Sequence, residues 1–255
     1  MSKGVFNLLS AVLRTFFVKS RFIGFHQSLK DYSVCIANHL GSFGPVALMS
    51  SLSSVNQKLH PWVIDEVTDL RKCAAYLRKD FVEKELKLRS VLAERVSRIL
   101  SRICVDLMTT IHAIPVYKRR QDIHKTFERS VVDLESGNTL LIFPENDESK
   151  QDDDICKLDS GFIRVAKWVF ERTHKRVRFY PIAINPYARA VQIGKPVLFN
   201  PRAPFGEEKR RIKEELERRI TEMYQDLAHR HEQTREHSRQ LILPLRLFAH
   251  RRKVA

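Results

Sequence analysis

The sequence predicts a single α/β domain in which a mixed, partly parallel sheet is flanked by helices. Short apolar runs bounded by polar or turn residues alternate along the chain with longer segments of helical spacing, and this alternation is typical of layered sheets with parallel strand pairs. The chain has 255 residues, of which 43% are hydrophobic, so it can bury one sizeable core. No internal repeat is present, which disfavours solenoids and propellers.

The predicted strands are short and apolar, as buried strands are. They span residues 33–38, 61–65, 112–117, 139–144 and 178–184, and residues 190–200 form a further strand pair. The predicted helices span residues 45–58, 67–79, 83–108, 122–136, 160–173 and 206–231. In sheets of this kind, sites lie in the loops that follow the carboxyl ends of the strands.

Two of the predicted helices carry an apolar stripe among charged residues, which is the usual signature of packing against a core. In the helix at 83–108 the stripe consists of Leu88, Leu92, Val96, Ile99, Ile103 and Leu107. In the helix at 206–231 it consists of Ile212, Leu216, Ile220, Met223 and Leu227.

Composition divides the chain into three parts: residues 1–20, 21–204 and 205–255. The first part predicts an amphipathic helix that lies on a membrane surface, and an ordinary helix packed on its own domain is the alternative. The middle part is the α/β domain. The last part is a charged helix with a basic tail, whose mixed apolar and basic residues are typical of segments that bind anionic lipid; a frayed tail without function is the alternative.

The formal net charge of +15 predicts an anionic partner, which is a phosphorylated substrate, an anionic membrane surface or nucleic acid. Nucleic acid is disfavoured, because the basic residues are spread over helices and no aromatic-rich nucleic-acid motif is present. The cysteines lack metal-ligand or redox spacing, so we expect reduced thiols and no metal site at Cys35, Cys73, Cys104 and Cys156. We expect a peripheral protein on the cytoplasmic face of a membrane.

Three polar features follow predicted strands. His39 follows the first strand, Lys118 and Arg119 follow the third, and Glu145 comes after the Phe-Pro pair that ends the fourth. A base, an anion clamp and a polar anchor are the parts needed to activate a hydroxyl on a phosphorylated molecule. Each feature alone has a simpler interpretation: a hydrogen-bonded structural histidine, a solvated basic turn, and a helix cap or loop charge.

Four stretches, "NHLGSFG", "AIPVYKRR", "LLIFPENDES" and "YPIAI", occur in this order along the chain. Their order and spacing resemble the four blocks of the glycerolipid acyltransferase family, typified by lysophosphatidic acid acyltransferase, over roughly residues 21–200. The resemblance implies the fold of that family. It also implies direct transfer of a fatty acyl chain from acyl-CoA or acyl carrier protein to a lysophospholipid-like acceptor, without a cofactor, a metal or a covalent enzyme intermediate.

The resemblance implies a role for each matching residue. His39 would be the general base that takes the proton from the acceptor as it attacks the thioester. Lys118 or Arg119 would hold a phosphate of the acceptor or the donor, and the pattern does not decide between the two. Contacts with the acceptor or the acyl chain are implied for Phe143, Pro144, Glu145 and Pro181.

The first block departs from the family pattern at Gly44, which stands where the family has an aspartate. The carboxylate that orients the histidine is therefore missing, and loss of the equivalent group in serine-protease triads costs about 10⁴-fold in turnover. A carboxylate from elsewhere could replace it. Asp65, which closes a predicted strand, is the candidate, and Asp31 and Glu66 are the other acids near strand ends.

The third block departs from the family as well, because Asn146, Asp147 and Glu148 replace its Gly-Thr-Arg. A phosphate facing this loop would meet repulsion, which predicts an altered acceptor with an amine or without a phosphate. The acidic residues 150–161 that follow form a mobile loop or a solvated turn. Two functions remain: an acyltransferase acting on a hydroxyl or amine, or a catalytically impaired relative that binds lipid or regulates.

Overall fold

The computed structural model describes residues 21–23, 29–38, 59–83, 87, 90–119, 121–144 and 157–251, with residues 21, 22, 80, 81, 90 and 235–251 described for the backbone only. The predicted helices at 1–20 and 45–58 lie outside these ranges. In chain order the elements are β1 (Arg21–Ile23), β2 (Ser33–Ala37), β3 (Leu59–Ile64), α1 (Leu70–Leu77), α2 (Ser90–Thr110), β4 (Ile114–Val116), α3 (Ile123–Glu135), β5 (Thr139–Ile142), α4 (Arg164–Thr173), β6 (Arg178–Asn185), β7 (Ala190–Ile193), β8 (Val197–Leu198) and α5 (Phe205–Arg251).

The strands form one mixed sheet in the order β1-β7-β6-β2-β5-β3-β4, with β8 also paired to β6. The pairs between β6, β2, β5, β3 and β4 are parallel, and β6 pairs antiparallel with β7 and β8. The central strands β2 and β5 are buried at every residue, which is why they read as continuous apolar runs. The predicted fold, an α/β domain with a mixed sheet flanked by helices, is confirmed.

The strand pair predicted at 190–200 is wrong, because β7 and β8 do not pair with each other. Both lie along the same strand, β6, and the chain between them passes Gly194, whose backbone N–H donates to Pro181 O at 2.9 Å. A Cβ at this glycine would come within 2.9 Å of Pro181 Cγ and 3.0 Å of Met223 Sδ. The close approach of α5 to the sheet therefore favours glycine here.

Several predicted element ends shift because of local backbone geometry. The helix predicted from residue 83 begins at Ser90, since Lys87 has a φ of 54° and cannot lie in a right-handed helix. The helix predicted from residue 67 begins at Leu70, because the Asp69 carboxylate accepts hydrogen bonds from the N–H groups of Arg71 and Lys72. The strand predicted to end at Asp65 ends one residue earlier, where a 3-10 turn begins.

The last helix is longer than predicted. We expected a helix at 206–231 and then a tail, whereas the backbone of α5 is helical from Phe205 to Arg251. Residues 232–243 contain no glycine or proline, so nothing in that stretch ends the helix. The lipid-binding role predicted for the tail stays a prediction. No helix in the described part of the chain is long and apolar enough to cross a membrane.

The larger hydrophobic cluster lies between one face of the sheet and the helices α3, α4 and α5. The apolar stripe predicted in α5 contributes to it: Ile212, Leu216 and Ile220 are fully buried. A smaller cluster, centred on alternate residues of β2 and β6, lies on the opposite face of the sheet. The carboxyl ends of the five mutually parallel strands β6, β2, β5, β3 and β4 lie side by side at one edge of this packed sheet.

The apolar stripe predicted in α2 is not the buried side of that helix. Leu92 and Ile99 are 56% and 62% exposed, whereas Ala93, Ser97 and Ser101 are almost fully buried. Cys104, on the same face as these small residues, is hydrogen-bonded to Cys73 of α1, which packs closely against α2. Close helix packing leaves room only for short side chains at the contact, so the small row, rather than the large apolar row, is the inner face.

Candidate functional site

The described part of the candidate site lies at the carboxyl edge of the parallel strands. Ile36 of β2 and Ile142 of β5 are Cα partners. Asn38 and Pro144 each follow two residues later, so they leave the sheet from neighbouring strands at the same level. The residues after them, which include His39, Gly44 and Glu145 to Glu148, lie outside the described residues, and the roles predicted for them stay predictions.

Asn38 connects two strands at this edge. It is fully buried, its Nδ2 donates to Ile184 O at 3.1 Å, and its Oδ1 accepts from Ile184 N–H at 2.7 Å. The side-chain amide thus continues the hydrogen bonding between β2 and β6 beyond the last strand residue. Sequence reasoning missed this role, although an amide that ends a fully apolar strand was a usable signal. The chain before His39 is therefore tied to β6 by two hydrogen bonds.

Pro144 lies where the chain leaves the sheet edge after β5, and the returning chain contacts it there. Its carbonyl accepts a hydrogen bond from Asp159 N–H at 2.7 Å, and Leu158 N–H donates to Glu217 Oε1 at 2.7 Å. Leu158 is buried, and Phe143 packs against the smaller cluster. The described end of the acidic segment predicted as a mobile loop or solvated turn is therefore anchored to α5 and to Pro144.

Charged side chains from β3, α1 and β4 form a cluster at the same edge. Asp65 Oδ2 accepts from Lys72 Nζ at 2.7 Å, and Glu66 Oε1 accepts from Lys118 Nζ at 2.8 Å. These hydrogen bonds raise the pKa of both lysines above the ordinary range. Asp65 and Glu66 follow β3 directly, so the sequence placed them near a strand end but did not predict these partners.

Arg119 is the cation of this cluster that has no ion pair within the described ranges. Its charge offsets only a small part of the rise in the pKa of the nearby Lys72, which the hydrogen bond with Asp65 dominates. Glu66 Oε2 is buried and has no hydrogen-bond partner among the described residues. Among the described residues, the cluster therefore combines two lysines that bind carboxylates, one arginine without an ion pair and one carboxylate oxygen without a hydrogen-bond donor.

The candidates for the missing carboxylate differ in location. Asp65 lies at the carboxyl edge, where it already binds Lys72. Asp31 lies before β2, at the amino edge of the sheet, and the five residues of β2 put about 16 Å of extended chain between it and Asn38. Asp31 therefore lies at the other end of β2 from Asn38, and the substitution predicted for Asp65 stays a prediction.

Pro181 lies within β6 rather than beyond its carboxyl end. It is the register partner of Ile36. Its ring lies on the face of the sheet that α5 covers, close to Gly194 and Met223. The acyl contact predicted for it stays a prediction.

A second histidine and carboxylate pair lies at the opposite edge of the sheet, and the sequence reasoning missed it. His60, the second residue of β3, is 2.9 Å from Asp133 of α3 through Nδ1 and Oδ2, and the ring of His112 stacks on it with centroids 5.2 Å apart. His60 and Asp133 lie far apart in sequence, so no spacing signal announced them. Their side chains are only 8% and 15% exposed, as expected for a structural pair.

The described cysteines are free thiols. Cys35 and Cys73 are buried, and burial raises the pKa of each to about 12, which leaves them unreactive. Among the described residues no group of three or more histidine, cysteine, aspartate or glutamate side chains is arranged to hold a metal ion. The expectation that the reaction needs no metal stays a prediction.

A cavity of about 420 Å³ lies between α3, α4 and the start of α5. Aromatic and basic side chains line it, among them Phe127, Trp168, Phe205, Arg164 and Lys167. Lys167 and Arg164 lie over two of these rings, Phe205 and Phe127. No predicted site residue lines the cavity.

No protein-family model and no curated protein matches the chain. Among solved structures, the chain is similar to the crystal structure of the 1-acyl-sn-glycerophosphate (LPA) acyltransferase PlsC from Thermotoga maritima. The sequence identity is 13%, the TM-score is 0.47, and the match covers 85% of this chain and 78% of that chain. A likeness at this level concerns the path of the chain and carries no conclusion about activity.

Proposed function

We propose that the protein is an acyltransferase that moves a fatty acyl chain from acyl-CoA or acyl carrier protein to a hydroxyl or amine of a lysophospholipid-like acceptor. The observation that carries the proposal is the register of β2 and β5. The histidine block and the Phe-Pro-Glu block are far apart in sequence, yet the chain enters them from Asn38 and Pro144, which are at the same level on neighbouring strands. One ligand can then meet both blocks.

His39 is the general base of this proposal. It directly follows Asn38, whose two hydrogen bonds to Ile184 restrain the backbone, and a restrained base loses little freedom when the acceptor binds. The base takes the acceptor proton as the oxygen or nitrogen attacks the thioester carbon, and the thiol of the donor leaves. No cofactor and no metal takes part.

Arg119, rather than Lys118, holds the phosphate of the acceptor or donor. Lys118 already donates to Glu66, and if Lys118 bound a phosphate instead, the Glu66 carboxylate would lose its hydrogen-bond donor. Arg119 has no ion-pair partner in the described ranges, so it can bind a phosphate without that cost. We expect Arg119→Gln to raise KM about tenfold or more and Lys118→Gln to raise it less, since a lost charged contact costs about 1.5–3 kcal/mol. Equal effects of the two substitutions would contradict this assignment.

Asp65 is the proposed substitute for the carboxylate missing at position 44. It would have to leave Lys72, its partner at 2.7 Å, to orient His39, so we expect a slow enzyme. Asp65→Asn is the direct test. It should lower kcat, and the loss should disappear when Gly44→Asp supplies the carboxylate but not with Gly44→Asn, which lacks the charge; a kcat unchanged by Asp65→Asn would reject the assignment.

A second function, a lipid-binding or regulatory protein without turnover, is favoured by two sequence features. Gly44 removes the family carboxylate, and Asp147 and Glu148, which stand where the family has Thr-Arg, oppose phosphate binding. Both functions share the lipid acceptor and a peripheral position on the cytoplasmic face of an anionic membrane. They differ in whether acyl transfer occurs.

Labelled acyl-CoA and acyl carrier protein, each offered with a panel of lysolipids that differ in headgroup, would decide between the two functions. We expect acyl transfer with at least one acceptor, and its loss in His39→Ala. Absence of transfer with every acceptor, together with saturable lipid binding, would favour the second function.

The matched control is His60, because it is the described histidine that already has a carboxylate partner. His60→Gln should retain turnover per folded molecule, since the pair lies at the amino edge of the sheet. Turnover that survives His39→Ala but disappears in His60→Gln would move the reaction to the other edge.

A further inference from the structure

The outward surface of α2 carries apolar and basic side chains in one row. Leu92 and Ile99 are more than half exposed, and Arg95 and Arg102 are exposed between and after them. Positions 92, 95, 99 and 102 are three or four residues apart, so they share one face of the helix. We call these four residues the α2 row. Val91, also more than half exposed, lies beside its start.

The domain side of α2 is already filled. Ala93, Ser97 and Ser101 are buried on the opposite face, and the thiol of Cys104 hydrogen-bonds that of Cys73 in α1. The exposed apolar side chains are therefore not a poorly packed part of the core. They form a separate surface on a helix that its own domain holds from the other side.

The charge of the α2 row is positive. Neither Arg95 nor Arg102 has an ion pair within the part of the chain that the structure describes. Glu94, the nearest acid, is bound by Arg98 on the side of the helix. Asp106, four residues after Arg102, is exposed on the same face of α2, so this face carries two arginines and one acid.

We infer that the α2 row docks on an anionic lipid bilayer. Leu92 and Ile99 enter the boundary between headgroups and acyl chains, while the long side chains of Arg95 and Arg102 reach the lipid phosphates. An exposed helix face on which apolar residues alternate with arginines matches the acyl-chain boundary and the anionic headgroup layer of a bilayer surface. The inference deepens the proposed function, on which it rests for its purpose, since an acceptor lipid would then reach the enzyme from the surface to which α2 binds.

A second copy of the chain fits the α2 row less well than lipid does. A two-fold contact of the row with itself would bring Arg95 and Arg102 of one copy against those of the other, and Asp106, the one acid on this face of the described helix, would leave an excess of positive charge. A neutral protein groove would also leave both arginines desolvated and unpaired. Lipid phosphates supply the missing anions.

The test is cosedimentation of the full chain with large vesicles of phosphatidylcholine alone or with phosphatidylglycerol. We expect binding to the anionic vesicles that falls with added salt. In Leu92→Glu/Ile99→Glu the partition coefficient should fall at least about tenfold, because apolar insertion is lost. Arg95→Gln/Arg102→Gln should also weaken binding about tenfold at low salt and reduce its salt dependence.

The matched controls lie on α3, where Val132 is 46% exposed and Arg129 is exposed without an ion pair among the described residues. Val132→Glu and Arg129→Gln make the same chemical changes outside the α2 row and should leave binding unchanged. Ile99→Trp adds a local reporter: its emission should shift to shorter wavelength and be quenched by brominated lipid, whereas Val132→Trp should show neither effect beyond the background of Trp62 and Trp168.

Three results would overturn the inference. They are no vesicle binding by the unaltered chain, equal loss of binding in the α2 and α3 variants, and self-association in solution that Ile99→Glu abolishes without an effect on vesicle binding. Circular dichroism melting of each variant confirms that the fold is intact.

Activity on a short-chain, monomeric acceptor without vesicles separates this inference from the proposed function. If the function is right, the α2 variants keep turnover there while His39→Ala loses it. If the function is wrong, vesicle binding still reports on the α2 row by itself.

Discussion

The helices α2 and α5 carry similar apolar stripes in sequence, yet they use them in opposite ways. In α5 the stripe is the inner face, with Leu216 fully buried against the sheet. In α2 no described residue of the stripe is buried, Leu92 and Ile99 are more than half exposed, and serines occupy the inner face. The difference teaches that hydrophobic spacing identifies an apolar face but not what covers it, because burial depends on how closely the neighbouring element approaches.

The largest effect is expected where the α5 stripe meets the core. Leu216→Ala should lower the free energy of unfolding by about 2–5 kcal/mol, since it removes buried methyl groups and leaves a cavity. Urea denaturation monitored by circular dichroism measures this. A loss below about 1 kcal/mol would mean that α5 is only loosely docked and would remove the contrast with α2.

A smaller effect is expected from enlarging the inner face of α2. Ser97 is 2% exposed, so Ser97→Leu should overpack its contact with α1 and cost about 1–3 kcal/mol of unfolding free energy. Arg102→Leu, which adds a similar side chain to the outer face, is the control and should change stability by less than about 0.5 kcal/mol. Tolerance of leucine at position 97 would show that the inner face was assigned wrongly.

A buried carboxylate, that of Glu208, also holds α5 in place, in addition to the apolar stripe. Burial alone would raise the pKa of Glu208, but hydrogen bonds from Arg211 and from the N–H of Asn200 outweigh it and hold the pKa below its ordinary range. The stabilisation is therefore complete above the unfolded pKa of about 4.3 and is lost as pH falls through the folded pKa.

Glu208→Gln should lower the free energy of unfolding by about 1–2 kcal/mol at neutral pH, since a charge-assisted bond is replaced by a neutral one. The difference from the unaltered chain should shrink as the pH falls below about 4. Urea titrations at several pH values measure both. The same substitution at the exposed Glu207 is the control, and a difference that persists at low pH would contradict the account.

The smallest effect is expected on the outer face of α2. Ile99→Ser should change the free energy of unfolding by less than about 0.5 kcal/mol, because the side chain is 62% exposed. Urea denaturation in the absence of lipid is the measurement. A loss comparable with that of Leu216→Ala would place Ile99 in a core and break the comparison.

The sheet was predictable because its strands are buried on both faces. β2, β5 and β6 lie within or close to the apolar runs read from the sequence, and the helices between them followed from their spacing. β1 was not predicted, since three residues carry too little pattern. The left-handed Lys87 and the unbroken α5 were not predicted either, because neither has a local sequence signal.

The sequence predicted the location of the candidate site at the strand ends, but not the contacts between its residues. The position of Asn38 and Pro144 at one edge follows from parallel strands, so the sequence sufficed. The partners within the site did not follow, because the pairing of Lys118 with Glu66 and of His60 with Asp133 joins residues far apart in the chain.

The sequence by itself determined which residues are apolar, where the chain must turn, and hence an α/β domain with its polar blocks after the strands. Only the tertiary structure decided which basic residues bind a carboxylate within the described part of the chain and which face of α2 is exposed. The physical reason is that composition and spacing act locally, whereas ion pairing and burial depend on the distances between elements that are not neighbours in sequence.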